Sequence, residues 1–334
     1  MSTSSLQTKP PLLELRDLSV SFDSQRQLAV DRVNLRIQEG LTLGLVGSSG
    51  AGKSSIARAI MRLHDADAGK ILFRGEDILR MDPREMKAVR QRIQLVFQDP
   101  LASLSPRRSV GQTLLEPLQH FALGDTLSRQ EKVRHTLHTV GLDHDVLRRY
   151  PHQFSAGQQQ RIAIARALVT DPDLLIADEA VASLDVSIQA QILELILDLQ
   201  RNLGIALLFI SHDLAVIRQI ADEVAIMYRG QLLEQSSADA FFSGPAHPYS
   251  KALLAFASGA EPPRLPDGNW NLEQARSAME VNASCVFAHK CAEKMPVCER
   301  LEPRSHRIQY REERAMESHC VKCHLYDEAS GNEN

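Results

Sequence analysis

The residues best suited to chemistry form one run of small and polar side chains, Gly47-Ser48-Ser49-Gly50-Ala51-Gly52-Lys53-Ser54-Ser55. The glycines let backbone N–H groups turn toward a phosphate chain, and the N-terminus of a following helix favours the same anion. Lys53 is placed to reach the β- and γ-phosphates, and the hydroxyl of Ser54 is placed to bind Mg²⁺. The run therefore predicts a site for a nucleoside triphosphate with magnesium.

The sequence on both sides of this loop favours the same interpretation. An apolar run, 41–46, precedes it, and Ile56, Ala59 and Ile60 follow at helical spacing. Strand, glycine loop and helix together are the context that a phosphate-binding loop requires. A glycine-rich turn without a ligand is the alternative.

Three further apolar runs end in polar side chains: Gln98, the pair Asp178 and Glu179, and His212. A carboxylate at the carboxyl end of a strand beside a phosphate loop can hold Mg²⁺, and a second carboxylate can polarise an attacking water. At equivalent strand ends, Gln98 is placed to touch a bound ligand and His212 to contact a γ-phosphate. Turn formation or an ordinary surface imidazole is the alternative for these side chains.

A second phosphate site is suggested by Phe154-Ser155-Ala156-Gly157-Gln158, where a turn of small residues opens a helix. An ordinary helix cap by Ser155 is the alternative. Phe22 ends a predicted strand, 13–22, and its ring can stack on a nucleotide base, although taken alone it is a candidate core residue.

The order of elements predicts an α/β fold. Strands are predicted at 13–22, 29–37, 69–73, 92–97, 174–177, 205–210, 224–228 and 231–234. The segment from residue 101 to about 150 has a helical and loop-rich pattern, which predicts a helical lobe inserted between the strands. A proline-rich linker begins near Glu261, and a short helix is predicted from Trp270 to Met279.

Composition limits the classes of partner. The formal net charge is −4, with no basic block suited to DNA or RNA, so nucleic acid is not expected. No run of about eighteen apolar residues is present, so we expect a chain that stays in the cytosol and reaches the membrane only through a partner.

All five cysteines lie between Cys285 and Cys323. Three of them form the pattern Cys285-x5-Cys291-x6-Cys298, and Cys320-x2-Cys323 follows. Thiols this dense in a cytosolic chain favour a metal or a cluster over disulfides, and the spacing differs from common zinc patterns.

The ordered motifs resemble the ATP-binding cassette (ABC) family over residues 12 to about 255. The segments 186–193 and His247-Pro248-Tyr249, with the cysteine-bearing tail, resemble the ATPase subunits of oligopeptide, dipeptide and nickel importers. The resemblance implies a P-loop NTPase domain at 1–255, with a mixed sheet core, an antiparallel β subdomain and a helical subdomain inserted at about 101–165. A small cysteine-rich C-terminal extension would occupy 256–334.

The resemblance also implies a role for each motif residue in binding and hydrolysing ATP. Those that would bind ATP are Phe22, stacked on adenine, together with Gly47, Ser48, Ser49, Gly50, Ala51, Gly52, Lys53, Ser54, Ser55 and Gln98. Those that would bind Mg²⁺ are Ser54, Gln98 and Asp178. Those that would act in catalysis are Lys53, Gln98, Glu179 as general base and His212 as sensor of the γ-phosphate.

The family pairs two ATPase domains head to tail, and Ser155, Ala156, Gly157 and Gln158 would complete the ATP site of the opposite subunit. The family usually has glycine where this chain has Ala156, and a methyl group there disfavours tight closure. Our hypothesis is an asymmetric pair with a related ATPase subunit. Residues 99–108 would contact the membrane subunit.

In that importer branch the tail holds an iron-sulfur cluster, which implies a [4Fe-4S] cluster on Cys285, Cys291, Cys298 and Cys323, with Cys320 spare or substituting. Zinc and unliganded thiols are the alternatives.

The function implied is ATP hydrolysis that powers uptake of peptides or related small solutes at the cytoplasmic face of the inner membrane. The expected partners are two permease subunits, a second ATPase subunit and an extracytoplasmic binding protein. A soluble ABC ATPase acting on ribosomes or DNA is the alternative, but it usually has two cassettes or a long coiled coil. Nothing in the sequence names the solute.

Overall fold

The computed structural model describes residues 10–22, 27–260, 284–308 and 319–330. The helix predicted from Trp270 to Met279 lies outside these residues. Within them the chain forms two sheets with helices packed around them, so the predicted α/β class is confirmed.

The strands correspond closely to the apolar and alternating runs of the sequence. In chain order they are β1 (Leu13–Phe22), β2 (Gln27–Ile37), β3 (Thr42–Gly47), β4 (Ala68–Phe73), β5 (Glu76–Asp77), β6 (Ile93–Val96), β7 (Leu174–Asp178), β8 (Ala206–Ser211), β9 (Glu223–Tyr228), β10 (Gln231–Ser237), β11 (Ser305–Ile308) and β12 (His319–Lys322).

The larger sheet has the order β11-β12-β10-β9-β3-β8-β7-β6 among the described strands. Neighbours from β9 to β6 run parallel, whereas β10, β12 and β11 add an antiparallel edge. Every residue of β3 and β8 is buried, because strands of a covered parallel sheet face packed layers on both sides. The mixed sheet is the one that the sequence predicts.

A second, antiparallel sheet has the order β2-β1-β4-β5. It packs over α1 and one face of the larger sheet through a shared core that includes Leu15, Val33, Ile56 and Leu208. Its strand β2 approaches the phosphate loop closely, since a Cβ atom at Gly52 would overlap the carbonyl oxygen of Ala29.

The helices lie mainly between strands of the larger sheet. They are α1 (Lys53–Ile60), α2 (Pro83–Arg92), α3 (Pro100–Ser103), α4 (Val110–His120), α5 (Thr126–Thr139), α6 (Ala156–Leu168), α7 (Val186–Leu203), α8 (Leu214–Ile220), α9 (Ala238–Ser243) and α10 (Pro248–Ala257). Helices α3 to α6 fall between β6 and β7, where the sequence predicts a helical lobe. No described helix is long and apolar enough to cross a membrane.

Side chains at the N-caps fix where several helices begin. Ser109 and Gln112 form a capping box at α4, and Ser155 and Gln158 form another at α6. Asp185 accepts a hydrogen bond from the Ile188 N–H at the start of α7. Each cap satisfies N–H groups that have no partner inside the helix.

The C-terminal tail joins the core of the larger sheet. Its two strands extend that sheet, since Glu234 of β10 pairs with Val321 of β12. Cys285, Phe287 and Ala288 are buried in the same apolar cluster as residues of the ATPase core. The described tail is therefore packed onto the sheet that carries the phosphate loop.

Candidate active site

The phosphate loop connects β3 to α1, as the sequence predicts. Gly50 and Gly52 have φ angles of 81° and 100°, a region that favours glycine. A Cβ atom at Gly47 would overlap the carbonyl oxygen of Met227 on β9. The loop is therefore packed against β9, and its glycines are required by close backbone approach as well as by conformation.

Lys53 and Ser54 stand at the start of α1. The Lys53 ammonium donates to the carbonyl oxygens of Gly47 at 2.8 Å and Ser48 at 3.0 Å, so it lies against the loop. The Ser54 hydroxyl donates to Asp178 Oδ1 at 2.9 Å. The predicted Mg²⁺ residues Ser54 and Asp178 are thus in direct contact.

Asp178 is buried at the carboxyl end of β7. Burial raises the pKa of this carboxyl, and the hydrogen bond from Ser54 opposes that change. A divalent cation at this position would stabilise the ionised carboxylate. A hydroxyl and a carboxylate oxygen are ligands that suit Mg²⁺, so the residues present fit the ion.

Glu179 follows Asp178 in a left-handed conformation, with a φ angle of 50°. Its N–H donates to the Ile210 carbonyl on β8 at 3.0 Å, which fixes the turn. Glu179 Oε1 lies 3.5 Å from His212 Nδ1. Non-glycine residues in this region carry strain and cluster at functional sites, so the conformation supports a role for the carboxylate.

The register of the parallel strands brings these groups to one edge of the sheet. Val96 pairs with Ala177, and Asp178 pairs with Ile210. Gln98, two residues beyond Val96, therefore leaves the sheet beside Glu179, and it is exposed. Ser54, Gln98, the two acids and His212 meet where a nucleotide on the phosphate loop would present its γ-phosphate.

The segment from Ser155 to Gln158 opens α6 at the surface. Ser155, Ala156 and Gln158 are exposed, as residues that act on a second molecule must be. Gly157 is buried against α7, and a Cβ atom there would lie 2.5 Å from Cγ2 of Ile188. The cap by Ser155 is present as well, since Gln158 N–H donates to its hydroxyl at 3.4 Å.

Phe22 is the last residue of β1, and its side chain lies outside the described residues. Its stacking on adenine stays a prediction.

Four of the cysteines are buried free thiols: Cys285, Cys291, Cys298 and Cys323. Burial raises the pKa of Cys291 to about 11 and that of Cys323 to about 12. Each of the other three also raises the pKa of Cys323 electrostatically, so the four lie near one another.

Cys320 lies on β12, half-buried, in a different setting. Burial raises the pKa of its thiol too, but the charges acting on it are those of Arg307 and Arg36. Across the described residues, no group of three or more His, Cys, Asp or Glu side chains is arranged to hold a single metal ion.

Two residues of this region escaped the sequence analysis. Glu234 on β10 is a buried carboxylate 2.7 Å from His319 Nε2, and the ring centroid of Tyr249, at the start of α10, lies 4.7 Å from that of Tyr228 on β9. Only the His-Pro-Tyr segment pointed toward Tyr249, and nothing in the sequence pointed toward Glu234.

Two family models match the chain. The ABC transporter model matches residues 30–182, and the model described as the C-terminal region of oligopeptide/dipeptide transporters matches residues 233–298.

Similar proteins and structures agree with these matches. The oligopeptide transport ATP-binding protein OppF of Salmonella typhimurium is 42% identical over 314 residues, which cover 89% of this chain and 93% of that protein. The dipeptide transport ATP-binding protein DppF of Escherichia coli is 40% identical over 311 residues, covering 91% and 93%.

The structure of cbiO1 from Clostridium perfringens, part of the ABC transporter complex cbiONQ, has a TM-score of 0.64 and 26% identity, covering 70% of this chain and 92% of that chain. The MJ0796 cassette dimer bound to ADP and Pi has a TM-score of 0.61 and 26% identity, covering 68% and 98%. The chain therefore belongs to the ABC transporter ATPases, in the branch that carries the oligopeptide/dipeptide transporter C-terminal region.

Proposed function

We propose that this chain is the ATP-hydrolysing subunit of an importer that takes up di- or oligopeptides across the cytoplasmic membrane. The observation that carries the proposal is the contact set Ser54–Asp178 and Glu179–His212 at one sheet edge. It occurs in a chain 42% identical, over 89% of its length, to a relative named for oligopeptide transport.

The chain's own residues divide the work of hydrolysis. Backbone N–H groups of the phosphate loop and Lys53 bind the phosphates. Ser54, Asp178 and Gln98 would hold Mg²⁺, which would offset charge on the transferring phosphoryl group. Glu179 orients the attacking water and accepts its proton. His212, whose Nδ1 lies 3.5 Å from Glu179 Oε1, stands beside that carboxylate and donates toward the γ-phosphate.

We further propose that the working unit is a pair, with Ser155 to Gln158 acting on the ATP of a second, related ATPase subunit. The exposed start of α6 supports this arrangement. Ala156 carries a methyl group at that surface, so the site it completes should close less tightly. With Glu179 and its counterpart mutated in turn, unequal hydrolysis at the two sites is expected. Equal hydrolysis would contradict the asymmetry.

Residues 99–108 are the proposed contact with the membrane subunit, one of two permease subunits, at the cytoplasmic face of the membrane. Leu101, in this segment, and Phe97, just before it, are exposed to 49% and 41%, so apolar surface is available beside Gln98. A contact here would place the membrane subunits next to a residue of the ATP site. An extracytoplasmic binding protein would deliver the solute.

The four buried thiols are the proposed ligands of a [4Fe-4S] cluster. Their proximity and burial support this ligand set, and the different surroundings of Cys320 support its exclusion. A [4Fe-4S] cluster takes four thiolate ligands, which equals the number of buried thiols in this set. A cluster bound there would link the segment 284–308 to Cys323, the residue that follows β12.

The proposal is tested by an anaerobic pull-down of this chain from detergent-solubilised membranes. We expect two permease subunits and a second ATPase, with about four irons and four sulfides per chain. The assembled complex in proteoliposomes should take up peptide only with ATP. Recovery with ribosomes or DNA and no membrane subunit would overturn the transport proposal, and iron-free protein would overturn the cluster alone.

A further inference from the structure

A cavity of about 330 Å³ lies between the antiparallel sheet and the described tail. The sheet contributes Asp17 of β1 and Arg32 of β2 to its walls, and the tail contributes Glu302, Arg304 and Lys322. The volume lies at the lower end of the range for small-molecule sites, which is roughly 300–1,000 Å³. None of the residues that line the cavity belongs to the candidate active site, so its charges need an explanation of their own.

Two of the lining residues have an unusual backbone conformation for their type. Asp17 and Arg32 both have a φ angle of 47°, and both lie where the pairing of β1 with β2 shifts register. The Asp17 N–H donates to Asn34 Oδ1 at 2.9 Å, and the Arg32 N–H donates to the Ser19 hydroxyl at 3.1 Å. A Cβ atom at Gly69 of β4 would overlap the Asp17 carbonyl oxygen. Bulges redirect side chains, and strained residues held by their neighbours cluster at functional sites, so this wall has the features of a binding site.

Three of the charged lining residues belong to a closed ring of hydrogen bonds. The Glu302 carboxylate accepts from Arg32 Nη2 at 2.6 Å and from Lys322 Nζ at 2.7 Å. Lys322 Nζ also donates to Gln231 Oε1 at 3.0 Å. Asp31 closes the ring, since its carboxylate accepts from Gln231 Nε2 at 2.6 Å and from Arg32 Nε at 3.1 Å. The two cations and two carboxylates of the ring therefore satisfy one another.

Two charged side chains of the cavity, Asp17 and Arg304, stand outside this ring. The Asp17 carboxylate accepts from the Asn34 amide at 2.9 Å and forms no ion pair with any described residue. Arg304 is exposed, and within the described part of the chain no carboxylate lies at ion-pair distance from it. Leu232 of β10 and Pro303 add apolar surface to the same cavity. The sheet thus offers an uncompensated carboxylate and the tail an uncompensated guanidinium.

We propose that this cavity binds a small zwitterion, either a free α-amino acid or a dipeptide. Asp17 takes the ammonium group, and Arg304 takes the carboxylate, since a guanidinium can donate two parallel hydrogen bonds to it. A neutral ligand would leave both protein charges without a partner, and an anion would be repelled by Asp17. A dipeptide as the source rests on the proposed function, because import would release short peptides on the side of the membrane where the chain works.

The test is titration calorimetry of the full chain, purified anaerobically, with L-alanyl-L-alanine as the probe. Two capped forms are matched control ligands, because N-acetylation removes the ammonium group and C-terminal amidation removes the carboxylate. We expect saturable binding of the uncapped dipeptide and an affinity about 10- to 100-fold lower for each capped form, the range for hydrogen bonds to charged groups. Free alanine that binds as tightly as the dipeptide would assign the site to amino acids, and weaker binding would assign it to dipeptides.

Two substitutions assign each charge to its partner on the ligand. Asp17→Asn suits the left-handed backbone, which asparagine adopts readily, and it should weaken binding of the uncapped dipeptide but not of the N-acetylated form. Arg304→Gln should weaken binding of the uncapped dipeptide but not of the amidated form. The matched control is Arg307→Gln, an exposed arginine on β11 that does not line the cavity.

The outcomes separate this site from the proposed import. A lack of saturable binding of both the dipeptide and alanine would overturn the zwitterion site, as would equal losses in Arg304→Gln and Arg307→Gln. If the wild-type chain binds the dipeptide but its assembled complex takes up no peptide, the import proposal fails and the site stands. Peptide uptake without binding gives the opposite result. Thermal unfolding of each variant shows that the proteins compared are folded.

Discussion

Glu234 offers the sharpest test of how the tail is attached, through the substitution Glu234→Gln. The side chain has 0% exposure, and its carboxylate accepts from the His319 ring at 2.7 Å and from the N–H groups of Ala246 and His247. An amide keeps one acceptor oxygen and turns its NH₂ group toward a donor. One buried N–H then has no acceptor, which costs about 1–3 kcal/mol.

The remaining hydrogen bonds also weaken, because they no longer end on a charged group. Hydrogen bonds to ions exceed neutral ones by about 1 kcal/mol each. Together with the unsatisfied N–H, the total loss is about 3–5 kcal/mol. The described ladder between β10 and β12 has two residue pairs, Glu234 with Val321 and Gln235 with Cys320. Hydrogen bonds of about 1 kcal/mol each in so short a ladder cannot offset that loss.

We therefore expect β12 to open locally while the ATPase core stays folded. Amide hydrogen exchange measures this directly, and protection of residues 319–322 should fall roughly 10²- to 10⁴-fold. The matched control is Glu223→Gln on the adjacent strand, where the carboxylate accepts from Gln235 Nε2 at 3.1 Å and burial raises its pKa. Equal protection of β12 in the two variants would refute the argument.

The pH dependence of the wild-type tail follows from the same carboxylate. Burial raises the pKa of Glu234, but the hydrogen bonds from His319 and the two N–H groups outweigh it and leave the pKa below the ordinary 4.5. Because the pKa is lower in the folded state, the contribution of the Glu234 carboxylate to stability is complete above pH 4.5. It is lost as the pH falls through the pKa of the folded state. If the protection of the β12 amides against hydrogen exchange fell between pH 8 and pH 5, a titrating group other than Glu234 would be responsible.

Three further outcomes are expected. Glu179→Gln should reduce ATP hydrolysis about 10²- to 10⁴-fold while MgATP binding persists. Steady-state ATPase and equilibrium binding assays measure the two effects, and unchanged turnover would show that Glu179 is not the base. Cys323→Ser should purify with less iron than wild type under anaerobic conditions, whereas Cys320→Ser should keep its iron, and the reverse result would exchange their roles. Gly157→Ala should destabilise the fold by about 1–3 kcal/mol, because its Cβ would lie 2.5 Å from the Ile188 side chain. Denaturant unfolding measures the change, and an unchanged midpoint would contradict that packing.

Sequence patterns predicted the parts of the fold that are set locally. The phosphate loop, the strand that ends at Asp178 and the cap at Ser155 each depend on residues within a few positions of one another. Their meeting at one edge followed from the rule that parallel strands share a carboxyl end. The predicted strands 205–210 and 231–234 differ from β8 and β10 by one to three residues at their ends.

The attachment of the tail was not predictable in that way. His319 pairs with Glu234 across 85 positions, and the ring of Tyr249 packs on that of Phe287 in the tail. β12 has four residues, too few for an alternating pattern to stand out. The left-handed conformation of Glu179 also has no local signal, since glutamate rarely adopts it and the bond to Ile210 imposes it.

These long-range contacts converge on the start of α10. Glu234 accepts from the two N–H groups there and from His319 of the tail strand, while the ring of Tyr249, two residues beyond His247, packs against Tyr228 of β9 and Phe287 of the tail. A disturbance of the tail therefore has a short physical route to β9, against which Gly47 of the phosphate loop is packed. Since packed interiors transmit small displacements, Glu234→Gln should weaken MgATP binding as well as free β12, and the two effects should appear over the same range of falling pH in the wild-type chain.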